Sequence, residues 1–278
     1  MTIAIVTARG GSTRTPNKNG RLLCNVPLLA WSIIQAQTAH EIDAVFLTTD
    51  SEAYAEIGKF YGVEVIMRPV WDNGITVGVP FLHALNIIET NYGMKPDILV
   101  TLLPTSPLRK PGQLDRMIEV FKENQLDYLT DAAPIKETFI LKHVKGSYYD
   151  RFQTQSLGDL YQAQMQIADK FWKYSKLGGG TSVGTRDYNF NTWSSNPQTD
   201  IEIDTKPVDK KTKWNLFPIE DWQCFEVDYP HDFEVCEALM EKMILKGRNS
   251  RIYGYVPLWK DESMQQIKTK YAGNSNQQ

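Results

Sequence analysis

The chain of 278 residues is long enough to bury a substantial core, and its 42% hydrophobic and 23% charged residues are typical of a globular protein. A formal net charge of −3 without a basic stripe argues against a nucleic-acid-binding module. The first apolar run is too short for a signal peptide and no apolar stretch is long enough to cross a membrane, while three cysteines without a CxxC pair favour a reducing, cytoplasmic location.

Strand and helix patterns alternate through the first half of the chain. Apolar, β-branched runs predict strands that open at residue 3 and then span 44–48, 63–67, 98–102 and 128–133. Between them, apolar residues at spacings of three and four predict amphipathic helices. This alternation predicts an α/β fold with a Rossmann-like, mainly parallel sheet flanked by helices. Ligands of such sheets bind at the carboxyl ends of the strands, which makes the loops after the strands the candidate site.

The loop after the first strand, residues 9–19, has the composition of a phosphate-binding loop. Gly10 and Gly11 allow backbone N–H groups to approach an anion, and Arg9, Arg14 and Lys18 supply positive charge. The loop is neither a Walker A motif nor a GxGxxG fingerprint, because it lacks the Gly-Lys-Ser/Thr ending and the third glycine.

Two further loops follow predicted strands and are expected at the same edge of the sheet. Arg68 and Pro69 follow the third strand, and Pro-Thr-Ser-Pro-Leu-Arg at 104–109 follows the fourth. Two prolines around Thr105 and Ser106 would make a stiff loop that presents hydroxyl groups at low entropic cost. The simpler alternatives are a surface charge at Arg68 and a plain turn with Ser106 as a helix cap.

Taken together, these loops resemble the signature of the CMP-sugar synthetases, the cytidylyltransferases that activate sialic acids and related acidic sugars. The matches around the first loop are Ala8, Arg9, Gly10, Gly11, Ser12, Pro16, Lys18 and Asn19. Residues 104–109 match six positions of the family's Gln-Pro-Thr-Ser-Pro-Leu-Arg stretch. The chain departs from the family pattern at Thr13, where a lysine is usual, and at Leu103, which replaces the glutamine.

The resemblance also implies a metal site near the end of the chain. Glu226 and Asp228 occupy positions where the family carries alternating acids on a strand, and residues two apart on a strand share a face. Two carboxylates there would make a hard-oxygen site for Mg²⁺, completed by water and phosphate oxygens. Asp232 is expected to cap the following helix. A rival acidic stretch precedes a charged run instead of a helix and is interpreted as a solvated strand face; its acids are Asp200, Glu202 and Asp204.

Between residues 135 and 217 the alternation fails and the composition becomes polar and aromatic. We predict a single cytidylyltransferase domain over 1–278, with an insertion of hairpins and loops that leaves the sheet in this region. The resemblance implies that the insertion forms a homodimer and that Lys142 contacts an acidic acceptor. The aromatic residues fit such an interface and an ordinary core equally well.

The reaction implied by the resemblance joins CTP and an acidic sugar into a CMP-sugar with release of pyrophosphate. The nucleotide is expected on Ala8, Arg9, Gly10, Gly11, Ser12, Lys18, Asn19 and Arg68. The acceptor is expected on Pro104, Thr105, Ser106, Arg109 and Lys142. Arg9, Lys18 and Asp228 are the expected catalytic residues, and Mg²⁺ held by Asp228 and Glu226 would bridge phosphate oxygens.

Two alternatives stay open at the level of the sequence. Leu103 and the few arginines of the insertion favour a different acceptor, such as a phosphonate or an eight-carbon acidic sugar. Thr13 and Glu226, which both depart from the family pattern, favour a non-catalytic nucleotide-binding protein of the same fold.

Overall fold

A computed structural model of the chain describes residues 1–71, 75–133, 176–194 and 212–245. Seven of its strands belong to one sheet: β1 Thr2–Ala8, β4 Ala44–Thr49, β5 Glu64–Met67, β6 Ile98–Leu102, β7 Tyr128–Ala133, β8 Lys176–Thr185 and β9 Trp214–Pro218. Their order across the sheet is β5-β4-β1-β6-β8-β7-β9. A separate short hairpin pairs β2 Leu22–Leu23 with β3 Val26–Pro27.

Helices connect these strands. They are α1 Leu28–Gln37, α2 Glu52–Phe60, α3 Gly78–Asn91, α4 Gln113–Glu123, α5 Arg186–Ser194 and α6 Pro230–Leu239. Short 3₁₀ turns span Lys18–Gly20 and Asp221–Cys224, and a π turn, Met240–Leu245, follows α6. None of the helices in the described part of the chain is both long and apolar enough to cross a bilayer.

The sheet is parallel except for one strand. β8 lies antiparallel between β6 and β7, while every other pair of neighbours runs parallel. Ala8 at the end of β1 is opposite Thr49, and Thr49 is opposite Met67, so the carboxyl ends of β1, β4 and β5 are level. The expected α/β fold with a mainly parallel sheet is therefore confirmed, and its loops emerge side by side.

The centre of the sheet is buried on both faces. Ile3 and Ile5 of β1 pack in one hydrophobic cluster with α3, and Ala4 and Val6 pack in another with α1. All four side chains are fully buried. Successive side chains of a strand point to opposite faces, so a strand covered by helices on both sides must be apolar throughout. The apolar opening run of the sequence thus reflects its central place in the sheet.

Part of the predicted insertion belongs to the sheet. β8 and all of β9 except Pro218 lie within the range 135–217, so the prediction that the chain leaves the sheet is wrong for these two segments. Residues 134–175 and 195–211 lie outside the described residues, as do the rival acids at 200–204 and Lys142. The single-domain boundary and the dimerisation role stay predictions.

Glycines explain why the apolar pattern did not reveal β8. The strand contains Gly178, Gly179, Gly180 and Gly184, which add no apolar side chains to a periodic pattern. A Cβ at Gly184 would lie 2.6 Å from Asn189 Nδ2, and a Cβ at Gly180 would lie 2.6 Å from Ser106 Oγ. These two glycines allow neighbouring segments to approach closely, as strand glycines often do.

Candidate active site

The loops that follow β1, β4, β5 and β6 surround a cleft of about 250 Å³. Its polar lining includes Arg9, Ser12, Lys18, Asn19, Asp50 and Arg68, and its apolar lining includes Trp71, Ile75, Val77, Pro80 and Leu103. A concave surface of apolar groups with a few convergent polar ones is typical of small-molecule sites. The cleft lies where ligands of open parallel sheets bind.

Seven of the predicted site residues line this cleft: Arg9, Ser12, Lys18, Asn19, Arg68, Pro104 and Thr105. The other predicted residues that the structure describes are Ala8, Gly10, Gly11, Ser106, Arg109, Glu226 and Asp228, which are not part of the lining. The loops after β1, β5 and β6 thus meet in one site, as expected. The binding role of each residue stays a prediction.

The loop at 9–19 is held in shape by hydrogen bonds within the loop and by one to Asp50. Asn19 is buried and donates from Nδ2 to the carbonyl oxygen of Arg9 at 3.2 Å, which joins the two ends of the loop. The N–H of Gly10 donates to Asp50 Oδ1 at 2.7 Å, and the N–H of Ser12 donates to the carbonyl of Gly10 at 3.0 Å. A loop ordered in this way presents its cations without a further entropic cost on binding.

Three cations meet at the cleft, and Arg68 is the most buried of them. The side chain of Arg68 is 5% exposed, that of Lys18 is 14% exposed, and Arg9 is exposed. Burial lowers the pKa of Arg68, and the positive charge of Arg9 lowers it further, while Asp50 opposes both. Arg68 Nε is buried without a hydrogen-bond partner in the described part of the chain. A desolvated guanidinium with an unused donor favours an anionic or strongly accepting ligand.

Trp71 lies beside Arg68 at the edge of the cleft. The Arg68 guanidinium lies 5.1 Å from the centre of the Trp71 ring, within the range of a cation–π contact. On its other side Trp71 meets the ring of His83 edge to face, with 5.5 Å between ring centres. Burial and the nearby Arg68 lower the pKa of His83, which favours the neutral imidazole. Arg68 is therefore packed against the aromatic wall that Trp71 forms.

Asp228 is linked to the loop at 9–19 by two ion pairs. Its Oδ1 accepts from Lys18 Nζ and its Oδ2 from Arg14 Nη1, both at 2.9 Å. The hydrogen bond from Lys18 is the main reason that the pKa of Asp228 lies below its usual value, and Arg14 lowers it further. The hydroxyl of Thr15 donates to the Asp228 carbonyl at 2.8 Å. Asp228 therefore contacts Lys18, which lines the cleft, but does not line the cleft itself.

The segment that carries Glu226 and Asp228 is not a strand of the sheet, so the predicted strand is wrong. Its one ladder-like contact is from the N–H of Val227 to the carbonyl of Thr105, at 2.8 Å. Val227 is fully buried while Glu226 is exposed, so the alternation expected of the two acids is present. A single backbone bond to a loop is too little to make a strand.

Asp232 caps α6 as expected, but from the third helical position, as part of a capping box, and not as the N-cap residue itself. Tyr229 is the N-cap residue, and Asp232 Oδ2 accepts from the N–H groups of Tyr229 and Asp228 at 2.6 and 2.8 Å. Pro230 begins the helix and fixes its first turn. Asp232 therefore orders the backbone of Asp228.

The chemistry of the two acids suits a divalent cation. Glu226 and Asp228 offer hard carboxylate oxygens, the kind of ligand that Mg²⁺ prefers. Glu226 accepts one hydrogen bond, from Ser106 Oγ at 3.2 Å. Both oxygens of Asp228 contact cations, so a metal there would replace the contact with Arg14 or with Lys18. The donor set fits a metal, with Asp228 as the ligand nearest the loop.

Arg109 lies in the interior, where the protein supplies its acceptors. The residue is 1% exposed. Its guanidinium donates to Thr181 Oγ1 at 2.6 Å, to Gln35 Oε1 at 3.1 Å, and to the carbonyls of Leu103 and Gly180 at 3.2 Å. Arg109 thus joins the loop at 103–109 to α1 and β8. Its place in the structure is that of a structural residue, and a direct contact with the acceptor would need a rearrangement.

Ser106 is also fully buried. Since α4 begins at Gln113, the alternative of Ser106 as a helix cap is wrong. The loop at 103–109 therefore presents Pro104 and Thr105 to the cleft, while Ser106 and Arg109 hold its other side.

Asp50 and Trp71 are among the lining residues that were not expected from the sequence. Asp50 directly follows β4, while Ser51 is the N-cap residue of α2, its hydroxyl accepting from the N–H of Tyr54. Trp71 lies in the loop after β5. Their place in loops after parallel strands was the available signal.

The chain is 25% identical over 262 residues to post-translational flagellin modification protein B of Campylobacter coli, covering 89% of this chain and 98% of that protein. It is 34% identical over 123 residues to N-acylneuraminate cytidylyltransferase of Escherichia coli O18:K1:H7, covering 43% of this chain and 28% of the relative.

Solved structures share the fold at lower identity. CMP:2-keto-3-deoxy-manno-octonic acid synthetase in complex with CTP aligns with a TM-score of 0.60 and 16% identity, covering 87% of this chain and 99% of that structure. Residues 3–206 match the sequence profile of the cytidylyltransferases. Because this match spans well over half of the 278 residues, the chain belongs to the cytidylyltransferase family.

Proposed function

We propose that this cytidylyltransferase joins CTP to an acidic sugar of the nonulosonic class, giving a CMP-sugar and pyrophosphate. The observation that carries the proposal is the cleft in which Arg9, Lys18 and Arg68 meet the loop of Pro104 and Thr105. Three cations suit a triphosphate, and the neighbouring loop leaves room for an acceptor beside it. The name of the relative that acts on N-acylneuraminate supports the acceptor class.

In the proposed reaction, a hydroxyl oxygen of the sugar forms a bond to the α-phosphorus of CTP. The bond from this phosphorus to the bridging oxygen of the β-phosphate breaks, pyrophosphate leaves with the electron pair, and the hydroxyl proton passes to solvent. Negative charge grows on the departing pyrophosphate. Arg9 and Lys18 are the cations expected to stabilise it, while Ser12 and the N–H of Gly11 hold phosphate oxygens. The N–H of Gly10 already donates to Asp50, so Gly10 contributes through the shape of the loop.

We further propose that Asp228 and Glu226 hold Mg²⁺. When bound, the ion would neutralise part of the negative charge of the triphosphate. Lys18 and Arg14 also contact Asp228 and balance its charge. Lys18 is close enough to the cleft to serve both Asp228 and a phosphate, so its contact with Asp228 keeps the ammonium group in place before the nucleotide arrives.

The acceptor is expected against Pro104, Thr105 and Leu103. The Thr105 hydroxyl can hydrogen-bond to a sugar, whereas Leu103 offers an apolar surface in the cleft. This apolar surface favours an acceptor with an acyl or deoxy position over one that presents a hydroxyl there. An eight-carbon acidic sugar or a phosphonate is the second candidate. Homodimer formation and a cytoplasmic location are further expectations.

Pyrophosphate release tests the proposal. The purified protein is incubated with Mg²⁺, each of the four nucleoside triphosphates, and a panel of nine-carbon, eight-carbon and phosphonate acceptors. Release with CTP and a nine-carbon acid is expected. Release only with an eight-carbon acid or a phosphonate would replace the acceptor class, and CTP binding without release from any pair would favour the non-catalytic alternative.

A further inference from the structure

Two aspartates flank β4, and each accepts a backbone N–H: Asp43 from the start of β1, and Asp50 from the loop that follows β1. Asp43, before β4, accepts the N–H of Thr2 on its Oδ2 at 2.7 Å. Asp50, after β4, accepts the N–H of Gly10 on its Oδ1, also at 2.7 Å. Only Asp50 lies in the lining of the cleft. Comparing the two aspartates therefore distinguishes the structural role that they share from any further role that Asp50 has at the cleft.

The second oxygen of Asp50 faces Arg68. The distance from Arg68 Nη2 to Asp50 Oδ2 is 3.7 Å, and both side chains are at least nine-tenths buried. In the described part of the chain, Asp50 is the carboxylate within ion-pair distance of Arg68. A buried guanidinium without a counter-charge would be strongly unfavourable, so Asp50 accounts for the position of Arg68 before a ligand binds.

Asp50 thereby joins the two ends of the cleft. One oxygen fixes Gly10 in the phosphate-binding loop, and the other holds Arg68 against the aromatic wall of Trp71. The approach of the loop to β4 is close, because a Cβ at Gly10 would lie 3.0 Å from the Cβ of Ser51. The geometry of the cations on both sides depends on this one carboxylate.

We propose that Asp50 is a positioning residue for the nucleotide, which sets the phosphate-binding loop and Arg68 at a fixed spacing so that both engage one CTP molecule. The inference rests on the proposed function. A negative charge among three cations does not favour phosphate by itself, so its effect is on position and orientation. Loss of Asp50 then weakens nucleotide binding more than it slows the chemical step.

The test compares three variants with the wild type. Asp50→Asn keeps an oxygen that can accept from Gly10 but removes the counter-charge of Arg68, and Asp50→Ala removes both. Asp43→Ala is the matched control, because it loses the same kind of hydrogen bond at the other end of β1. Calorimetry with CTP gives the Kd, steady-state kinetics give KM and kcat, and thermal unfolding shows whether each variant is folded.

We expect Asp50→Asn to raise the Kd and KM for CTP about tenfold, with kcat and the KM for the acceptor within about twofold. Asp50→Ala should raise the Kd and KM for CTP further. It should also lower kcat, because Gly10 loses its contact with Asp50 and Arg9 is the residue next to Gly10. Asp43→Ala should leave the Kd within about twofold even if its Tm falls. In an Arg68→Ala background, Asp50→Asn should raise the Kd for CTP little further, because both changes remove the same interaction between Asp50 and Arg68.

Four results would overturn the inference. They are a Kd for Asp50→Asn within twofold of the wild type, an equal rise of the Kd in Asp43→Ala, an equal rise in the KM for the acceptor, and full additivity with Arg68→Ala. If the wild type itself did not bind CTP, the proposed function would fail and the inference with it. Normal CTP binding by the wild type and by Asp50→Asn would overturn the inference alone.

Discussion

Two arginines at neighbouring loops of the cleft are almost equally buried and have opposite surroundings. Arg109, after β6, donates to Thr181 Oγ1, to Gln35 Oε1 and to backbone carbonyls, so its needs are met inside the protein. Arg68, after β5, has a buried Nε without a hydrogen-bond partner in the described residues and a carboxylate at 3.7 Å. Both side chains are no more than 5% exposed.

The difference distinguishes an arginine whose donors are used within the protein from one that has a buried donor left unused in the described part of the chain. Burying a guanidinium is unfavourable unless its donors are used. At Arg109 the neutral acceptors of the chain offset this penalty, which leaves nothing for a substrate. At Arg68 the penalty is only partly offset, and a nucleotide would supply the missing acceptor. The two arginines are similar in burial and in their position after a strand of the sheet. They differ in whether their hydrogen-bond donors are used.

The largest effect is expected at Arg109. Arg109→Ala should lower the free energy of unfolding by about 3 to 5 kcal/mol, because several buried acceptors lose their donor at once. Urea unfolding followed by circular dichroism measures this change. Arg116→Ala on α4 is the control, since its side chain is 55% exposed and its ion pairs should contribute less than about 1 kcal/mol. A loss at Arg109 no greater than at Arg116 would contradict the structural role.

Arg9→Ala should affect catalysis while leaving stability almost unchanged. Arg9 is exposed at the cleft, so its loss should lower turnover about 100-fold, the usual effect of removing one preorganised group that stabilises charge. Pyrophosphate release at saturating substrates gives the turnover. Arg21→Ala is a suitable control, because Arg21 is also exposed but lies over the Phe233 ring instead of the cleft. Near-normal turnover in Arg9→Ala would show that this loop does not serve the triphosphate.

Gly180→Ala tests the interior arginine through the backbone that it contacts. Gly180 has a φ of +55°, and an added Cβ would lie 2.6 Å from Ser106 Oγ. We expect a loss of about 2 kcal/mol in the free energy of unfolding from strain and displacement. Gly11→Ala is the matched control, because nothing lies within 4 Å of its added Cβ. Equal stabilities of the two variants would mean that β8 adjusts freely beside the loop.

The sequence predicted the fold where the strands are apolar. β1, β4, β5, β6 and β7 were expected close to their observed bounds, since strands covered on both faces carry continuous apolar runs. β8 was missed because glycine contributes no side chain to a pattern. The segment of Glu226 and Asp228 resembled a strand, yet no neighbouring strand pairs with it in the described part of the chain.

The sequence predicted which loops form the candidate site, but not which way each side chain points. The loops at 9–19, 68–71 and 103–109 meet at the cleft because register and strand order bring them there. Sequence carries no direct sign that Arg109 turns inward to Thr181 while Arg68 faces Asp50, because both depend on partners distant in the chain. The role of Asp50 depends on such a distant contact as well, from Gly10.

The smallest expected effect concerns the carboxyl group nearest the interior arginine. Asp131 is 1% exposed, and burial raises its pKa to about 7 although Arg109 and the hydrogen bond from Thr181 oppose the rise. Its Oδ1 accepts the N–H of Thr181 at 3.4 Å, whereas Oδ2 is buried without a hydrogen-bond partner among the described residues. Between its unfolded value near 4 and about 7, the folded protein holds a proton that the unfolded chain has lost.

Stability must therefore fall as the pH rises through that range. We expect the free energy of unfolding of the wild type to fall by on the order of 1 kcal/mol between pH 6 and pH 7 from this group, and Asp131→Asn to lack that fall because an amide does not titrate. Urea unfolding at several pH values measures both slopes. If the two proteins lost stability in parallel, Asp131 would be ionised in the fold, and Arg109 would be paired with a carboxylate after all. Arg109 would then resemble Arg68 more closely than its neutral acceptors indicate.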